Sequence, residues 1–370
     1  MSVLRLAGAI IAAALCFVAA GNVRADAPPV TQLTADGTVR DWSPDGKHLL
    51  LDARDADGYF QVYTMNADGG GRRCLTCVEV QGGPEARRHK GFAHYHPSGK
   101  FFVVQVEMPK RLVGDSRKVT KASGPGSAVW NDLWLAGIDG KSWFNLTNYT
   151  TKALTGALSP YFSHDGKHLL YAQFEREGGW KRKFGYWSLH IADFSFQPYP
   201  HLSNDRVIFS NEGIYEPHGF SPDDTRILFS SDRELKNSLG LDLWEYDLRH
   251  GTARNLTHSP DQYDEHARYS PDGKYIAWGS SRCCASFRTS LGTLISETYV
   301  MRADGSGAAQ VTHFNEKGYP ESTPMQSGAW PTAWSPDGAH LVISQQLLGL
   351  VLKGRPATNP SWIADLTGMK

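Results

Sequence analysis

The chain has 370 residues, 41% of them hydrophobic, with 11 Trp, 15 Tyr and 16 Phe. That is enough apolar and aromatic material for a large core, which excludes global disorder. Its 38 basic and 38 acidic side chains cancel, so a generalised binder of nucleic acid or anionic membrane, which needs a clear basic excess, is excluded as well. The 37 Gly and 20 Pro point to many tight turns.

Residues 1–25 read as a secretory signal peptide. Arg5 supplies the positive n-region, Leu6 to Ala20 the apolar stretch, and Val23-Arg24-Ala25 a small-x-small cleavage site before Asp26. Export to the periplasm or the exterior is therefore expected, with cleavage near Ala25. Residues 26–370 are expected to form a single domain, a monomer. No later run is long and apolar enough to span a membrane.

A four-residue turn then recurs six times, at Ser43-Pro44-Asp45-Gly46, His96-Pro97-Ser98-Gly99, Ser163-His164-Asp165-Gly166, Ser221-Pro222-Asp223-Asp224, Ser270-Pro271-Asp272-Gly273 and Ser335-Pro336-Asp337-Gly338. An aromatic residue precedes each one: Trp42, Tyr95, Phe162, Phe220, Tyr269 and Trp334. Apolar or alternating runs follow (Leu49 to Leu51, Phe101 to Val106, Leu169 to Ala172), then a third strand, an Asp-Gly turn and a Leu-Thr-like closing strand such as Leu75-Thr76 or Leu256-Thr257. Four short strands per unit joined by tight turns describe a propeller blade, so an all-β, six-bladed β-propeller is expected. The third unit reads as degraded, with His201-Leu202-Ser203 loosely replacing its closing strand. The sixth supplies three strands, ending at Trp362 to Leu366, and Val30 to Thr34 is expected to close that last blade and remove a free sheet edge.

These repeats resemble those of TolB-type propellers: Trp42-Ser43-Pro44-Asp45-Gly46-Lys47, a hydrophobic strand, Ser230-Ser231-Asp232-Arg233, and a strand ending in Asp304-Gly305-Ser306. The resemblance covers about residues 30 to 366 and implies the propeller fold. TolB itself carries an α/β domain ahead of its propeller, for which the stretch between Asp26 and Ser43 leaves no room. No Gly-x-Ser-x-Gly elbow occurs, which removes a peptidase reading.

In an antiparallel blade, loops 1–2 and 3–4 emerge on one face and loops 2–3 and 4–1 on the other. The repeat turns are the former. Long insertions (Val78 to Phe92, Met108 to Asn131, Phe174 to Trp187, Arg233 to Leu241, Arg282 to Thr298, Phe314 to Pro331, Gln345 to Pro360) fall on the latter, where functional residues concentrate. Blades one to three of that face are basic (Arg87-Arg88-His89-Lys90, Lys110, Arg111, Arg117, Lys118, Lys121, Arg176, Lys181-Arg182-Lys183), which suits a protein or polysaccharide ligand.

The innermost strands line the central channel with Arg40, His94, Glu216, His218, Glu265, His266 and Arg268, and Arg282 lies on the adjoining loop face. Converging imidazoles would suit a divalent metal. However, His94, His218 and His266 sit two, three and four residues before their turns, so strand alternation sends them to opposite faces unless bulges intervene. No metal or other cofactor is therefore expected. Asp52, Asp55 and Asp57 before Gly58 lack the bidentate Glu of a calcium loop and read as a turn. Cys74, Cys77, Cys283 and Cys284 form an even set in an exported chain, which favours disulfides. The functional expectation is a non-catalytic propeller that binds a protein or glycan through its loop-rich face. The alternative is a lyase or hydrolase acting on an anionic carbohydrate at the channel mouth through the His, Glu and Arg groups above.

Overall fold

The structure, a computed structural model, describes residues 27–109, 129–149, 154–179, 182–235, 239–284, 294–348 and 359–369. The expected leader, and Lys110, Arg111, Arg117, Lys118, Lys121 and Lys181 of the basic loops, lie outside the described residues.

The order of elements reproduces the repeat. After β1 (Val30–Thr34), blade one is β2 (Thr38–Trp42), β3 (His48–Arg54), β4 (Phe60–Asn66) and β5 (Arg73–Cys74). Blade two is β6 (Lys90–Tyr95), β7 (Phe101–Glu107), β8 (Asn131–Gly137) and β9 (Trp143–Asn145). Blade three is β10 (Ala157–Phe162), β11 (His168–Gly178), β12 (Arg182–Ser195) and β13 (His201–Phe209). Blade four is β14 (Tyr215–Phe220), β15 (Arg226–Ser231), β16 (Asp242–Asp247) and β17 (Thr252–Asn255). Blade five is β18 (Asp264–Tyr269), β19 (Tyr275–Ser280), β20 (Glu297–Arg302) and β21 (Ala309–Gln310). Blade six is β22 (Ser327–Trp334), β23 (His340–Leu347) and β24 (Ser361–Asp365), completed by β1. The chain is a six-bladed β-propeller of six four-stranded antiparallel sheets.

Ring closure takes the expected form. Val30 pairs with Ala364 and Thr31 with Ile363, and Val30 enters the apolar cluster that joins blades five and six through Phe314, Leu341 and Ile343. Val39 and Leu51 of blade one pack on Val342 of blade six. The Ser361 hydroxyl stitches the same seam, accepting from Val39 N and donating to Gly37 O, both at 3.0 Å. Such clusters between neighbouring blades, rather than one central core, hold the ring together. The axis is thereby left to polar groups.

The repeated turn has a simple cause. In five of the six, the Ser hydroxyl donates to the Asp two residues on, as in Ser43 to Asp45 at 2.6 Å and Ser270 to Asp272 at 2.7 Å. The same oxygen accepts the N–H that opens the next strand, at 2.9 Å from His48 and 3.0 Å from Tyr275. In blade two His96 Nδ1 replaces the hydroxyl, taking the Ser98 N–H at 3.1 Å. Where blade four has Asp224 in place of Gly, at φ 54°, its carboxylate crosses to blade three and accepts from His164 N and Asp165 N at 2.8 and 2.9 Å.

The closing Thr is a second device. Thr257 Oγ1 accepts from Leu243 N and donates to Asp242, both at 3.0 Å. Thr76 does the same with Val62 and Gln61, Thr147 with Leu133 and Asp132, and Thr312 with Thr298 and Glu297.

Blade three corrects the reading of its sequence. It is not degraded: its closing strand β13 has 9 residues, and Phe174 to Trp187, read as an irregular insertion, is a continuation of the β11–β12 ladder out to Gly178 and Arg182.

Candidate functional site

Every innermost strand carries a register shift. The breaks lie between Val39 and Asp41, Gly91 and His94, Leu158 and Tyr161, Pro217 and Gly219, Glu265 and Arg268, and Pro331 and Ala333. A bulge lets two residues on one strand oppose a single partner and re-aims a side chain. Here it removes the alternation that would have separated the histidines. Phe92, Ser159 and His266 sit at three of these bulges with φ of 56°, 49° and 56°, a conformation non-glycine residues adopt at a cost and which concentrates at functional sites.

The result is a connected polar axis. His94 packs its ring 4.2 Å from that of Tyr161, and Arg268 donates to the Tyr161 hydroxyl at 2.5 Å. The same guanidinium donates to Thr332 O at 2.9 Å and His218 O at 3.0 Å. His218 and His266 face each other at 6.0 Å between ring centroids, and Trp330 stacks on His266 at 5.2 Å. His266 Nε2 lies 3.2 Å from a Glu265 carboxylate oxygen. Glu265 accepts from the Tyr263 hydroxyl at 2.5 Å and is hydrogen-bonded to Glu216, which accepts from Ser159 at 2.9 Å. Arg40 is held by Asp52 at 2.6 Å and lies over the Phe92 ring at 4.4 Å.

Burial sets the charge states. It pushes the His94 imidazole down to about 4, against the pull of Asp41, whose carboxylate is 3.6 Å away. It also holds His218 and His266 well below their ordinary value, so all three rings are neutral at pH 7. Burial raises both Glu216 and Glu265, and the neighbouring Glu216 charge raises Glu265 further, so Glu265 keeps the proton and donates it to Glu216. Burial likewise pushes the Tyr161 hydroxyl up to about 12.

A cavity of about 360 Å³ caps this axis on the face of the tight turns. Its wall contains the residue two positions before every repeat turn: Asp41, His94, Tyr161, Gly219, Arg268 and Ala333. His218 and Thr332 add to it from the bulges. Two buried ring nitrogens, His94 Nε2 and His218 Nδ1, have no hydrogen-bond partner, and Arg268 makes no ion pair among the described residues. Tyr161 is the residue that sequence reading missed. Its signal was the constant offset from the turn that it shares with His94 and Arg268.

The structure therefore brings together Arg40, His94, Glu216, His218, Glu265, His266 and Arg268. Arg282 stands apart, over Trp278 at 4.8 Å and 3.9 Å from Asp264. Cys74–Cys77 and Cys283–Cys284 are both disulfides, away from the axis. Asp55 caps a turn by accepting from Asp57 N and Tyr59 N at 3.0 and 2.9 Å, and Asp52 serves Arg40. Among the described residues no three His, Cys, Asp or Glu are grouped to hold a metal ion. Part of the basic loop charge is spent internally: Arg182 pairs with Asp232 at 2.8 Å, and buried Lys90 donates to Glu85 O at 2.8 Å.

No protein-family model matches the chain. Dipeptidyl-peptidase 5 of Porphyromonas endodontalis is 24% identical over 266 residues, 64% of this chain but 36% of that protein, so the match spans little more than a third of the relative's length. Among solved structures, a TolB protein from Agrobacterium tumefaciens superposes with a TM-score of 0.55 at 16% identity, covering 91% of this chain and 90% of that one. TolB from Acinetobacter baumannii gives 0.53 at 15% identity, covering 86% of this chain and 63% of its own. An oligogalacturonate lyase from Vibrio parahaemolyticus gives 0.50 at 14% identity, covering 94% and 96%. In fold, the chain is a TolB-like six-bladed β-propeller.

Proposed function

We propose that this chain is an exported, monomeric binding propeller that takes up a carboxylate-bearing group of a protein or glycan at the turn-face mouth of its channel. The observation that carries the reading is Arg268. Its guanidinium is fixed by three carbonyls and the Tyr161 hydroxyl, borders a cavity of about 360 Å³, and forms no ion pair with a carboxylate among the described residues. A half-buried cation that touches no carboxylate directly favours an anionic guest beside it, and planar guanidinium geometry suits a carboxylate. The unpartnered nitrogens of His94 and His218 supply two further polar contacts. Export places such a domain in the periplasm or outside the cell, as the leader-like first 25 residues suggest.

The test is calorimetric titration of residues 26–370 with oligogalacturonate, an acidic peptide and their neutral counterparts. Binding should require the carboxylate and weaken about 30-fold in Arg268→Gln, the ~2 kcal/mol that hydrogen bonds to a charged group are worth. Equal affinity for the neutral ligands, or for the variant, would refute it.

The same neutral imidazoles support the second reading, a lyase or hydrolase acting on an anionic carbohydrate. His94 and His218 each keep a free nitrogen at neutral pH, one of which would accept a proton while Arg268 neutralises the uronate carboxylate. Turnover of oligogalacturonate, followed by the ultraviolet absorbance of an unsaturated product or by new reducing ends, separates this reading from binding alone.

A further inference from the structure

Blade three carries a second cluster, remote from the channel. Ser188 and His190 are two residues apart on β12 and so share a face of the sheet. Ser188 Oγ lies 2.8 Å from His190 Nε2, and His190 Nδ1 lies 2.8 Å from an Asp205 carboxylate oxygen on β13. The order hydroxyl, imidazole, carboxylate is that of a nucleophile, its base and the group that orients the base.

The surroundings fix this array. The His190 ring stacks on Tyr171 at 5.1 Å with 19° between planes. The Tyr171 hydroxyl donates to Asp205 and is hydrogen-bonded to Tyr149. The Tyr149 hydroxyl lies 3.3 Å from the Gln173 amide oxygen, and Gln173 is the direct cross-strand partner of Ser188. Ser188, His190 and Gln173 all line an open cavity of about 490 Å³. Two of its walls are large exposed hydrophobics, Leu154 at 42% and Val207 at 55% accessibility, and Glu175 adds a carboxylate.

We propose that Ser188, His190 and Asp205 form an acyl-transfer site that hydrolyses uncharged, short-chain carboxylic esters. Ser188 Oγ attacks the ester carbonyl while its proton passes to His190 Nε2. The carbon–oxygen bond to the alcohol breaks, and the alcohol leaves with that proton. Water, deprotonated by the same imidazole, then attacks the acyl-serine, and the proton returns to Ser188 Oγ as the carboxylic acid departs. The Gln173 carboxamide, across the ladder from Ser188, supplies the N–H for the developing oxyanion. Leu154 and Val207 receive the acyl chain, and the Glu175 charge turns anionic esters away. Ser188 and His190 are the catalytic residues. Asp205 is a positioning residue.

The experiment uses residues 26–370 with a fluorophosphonate probe and, separately, 4-nitrophenyl butyrate. A single equivalent of label on Ser188, located by peptide mass mapping, is expected, with ester hydrolysis that S188A abolishes. H190Q, which keeps the hydroxyl, should slow both labelling and hydrolysis by ~100-fold or more. D205N should move the acidic limb of the pH–rate profile as well as lower the rate, because Asp205 on β13, with Tyr171 and Glu175 on β11, forms the ionisable environment of His190. A role for Asp205 confined to folding would leave that limb in place. Labelling that maps away from Ser188, or labelling and hydrolysis unchanged in S188A or H190Q, overturns the proposal. If S188A fails to fold, H190Q alone decides it.

Discussion

Glu265 and Glu216 meet carboxyl to carboxyl inside the channel, Glu265 donating to Glu216, which also accepts from the Ser159 hydroxyl at 2.9 Å. One proton serves both groups because two buried carboxylates in contact cannot both ionise. The pair leaves a single negative charge at the axis, facing Arg40 and Arg268.

Glu265→Gln should consequently be mild. Its amide N–H₂ still donates to Glu216 and its carbonyl still accepts from Tyr263, so the melting temperature should stay within about a degree of the parent. Glu265→Ala takes the carboxyl donor from Glu216 and an acceptor from the Tyr263 hydroxyl in a buried site and should cost about 2–3 kcal/mol. Thermal unfolding of the two variants checks this, and an equal loss in both would show that the Gln amide does not take over the donor role of the Glu265 carboxyl.

Glu297 titrates near neutrality. Burial lifts its carboxyl to about 7, outweighing the hydrogen bonds from Thr312 and Asn315. A raised folded value means that the native state holds a proton the unfolded chain has released. The stabilisation is whole below the unfolded value near 4.5 and is lost as pH rises through about 7, up to about 3 kcal/mol. Depressed His94 acts with the opposite sign, its contribution complete above 6.5 and lost as pH falls toward about 4. Chemical denaturation at pH 5 and pH 8 should show Glu297→Gln with a flattened upper slope, whereas His94→Gln should alter only the lower one.

The fold was legible because its devices are local. Ser and Asp at a fixed spacing of two close one turn by themselves, and they recur with an aromatic ahead of them, so six blades could be counted without knowing how they pack. The last-blade closure by Val30 to Thr34 was legible for the same reason. The site was legible only by residue type. His94, His218 and His266 were visible, but their convergence depends on bulges at Phe92, His218 and His266; at the first and last the residue at positive φ is Phe or His, which leaves no composition signal, and only beside His218 is it a glycine, Gly219. Tyr161 was hidden because a tyrosine in a β-rich chain is unremarked until the turn-minus-two ring of positions is laid side by side. Blade three misled because its closing strand, His201–Phe209, starts with polar residues that lie on an exposed outer edge.

The closing-Thr device carries a prediction of its own. The buried Asp242 carboxylate accepts from Thr257 Oγ1 at 3.0 Å, Ser259 N at 2.7 Å and Asn255 Nδ2 at 2.8 Å. Asp242→Ala removes the acceptor of these three donors, and of the Ser259 hydroxyl at 3.1 Å, at one blade corner and should cost about 3 kcal/mol. Thr257→Ser keeps the hydroxyl and should cost less than about 1 kcal/mol. Urea titrations distinguish the two, and a similar midpoint for both variants would mean that the hydroxyl–carboxylate contact contributes little to the blade.

The disulfides sit at the other extreme of consequence. Cys74–Cys77 spans a sequence separation of 3 and Cys283–Cys284 a separation of 1. The stabilisation a cross-link brings by restricting the unfolded chain grows with the loop it closes. For loops this short it amounts to about 1–2 kcal/mol each, against about 4.7 for a 100-residue loop. The ring itself is joined by the β1–β24 ladder and the clusters between blades, neither of which includes a cysteine. Oxidised protein in denaturant should therefore show these four thiols protected, and all four should become reactive after reduction. The reduced protein should remain folded, with a melting temperature lowered by only a few degrees. Loss of the cooperative transition on reduction would mean that the cross-links hold more than their own turns.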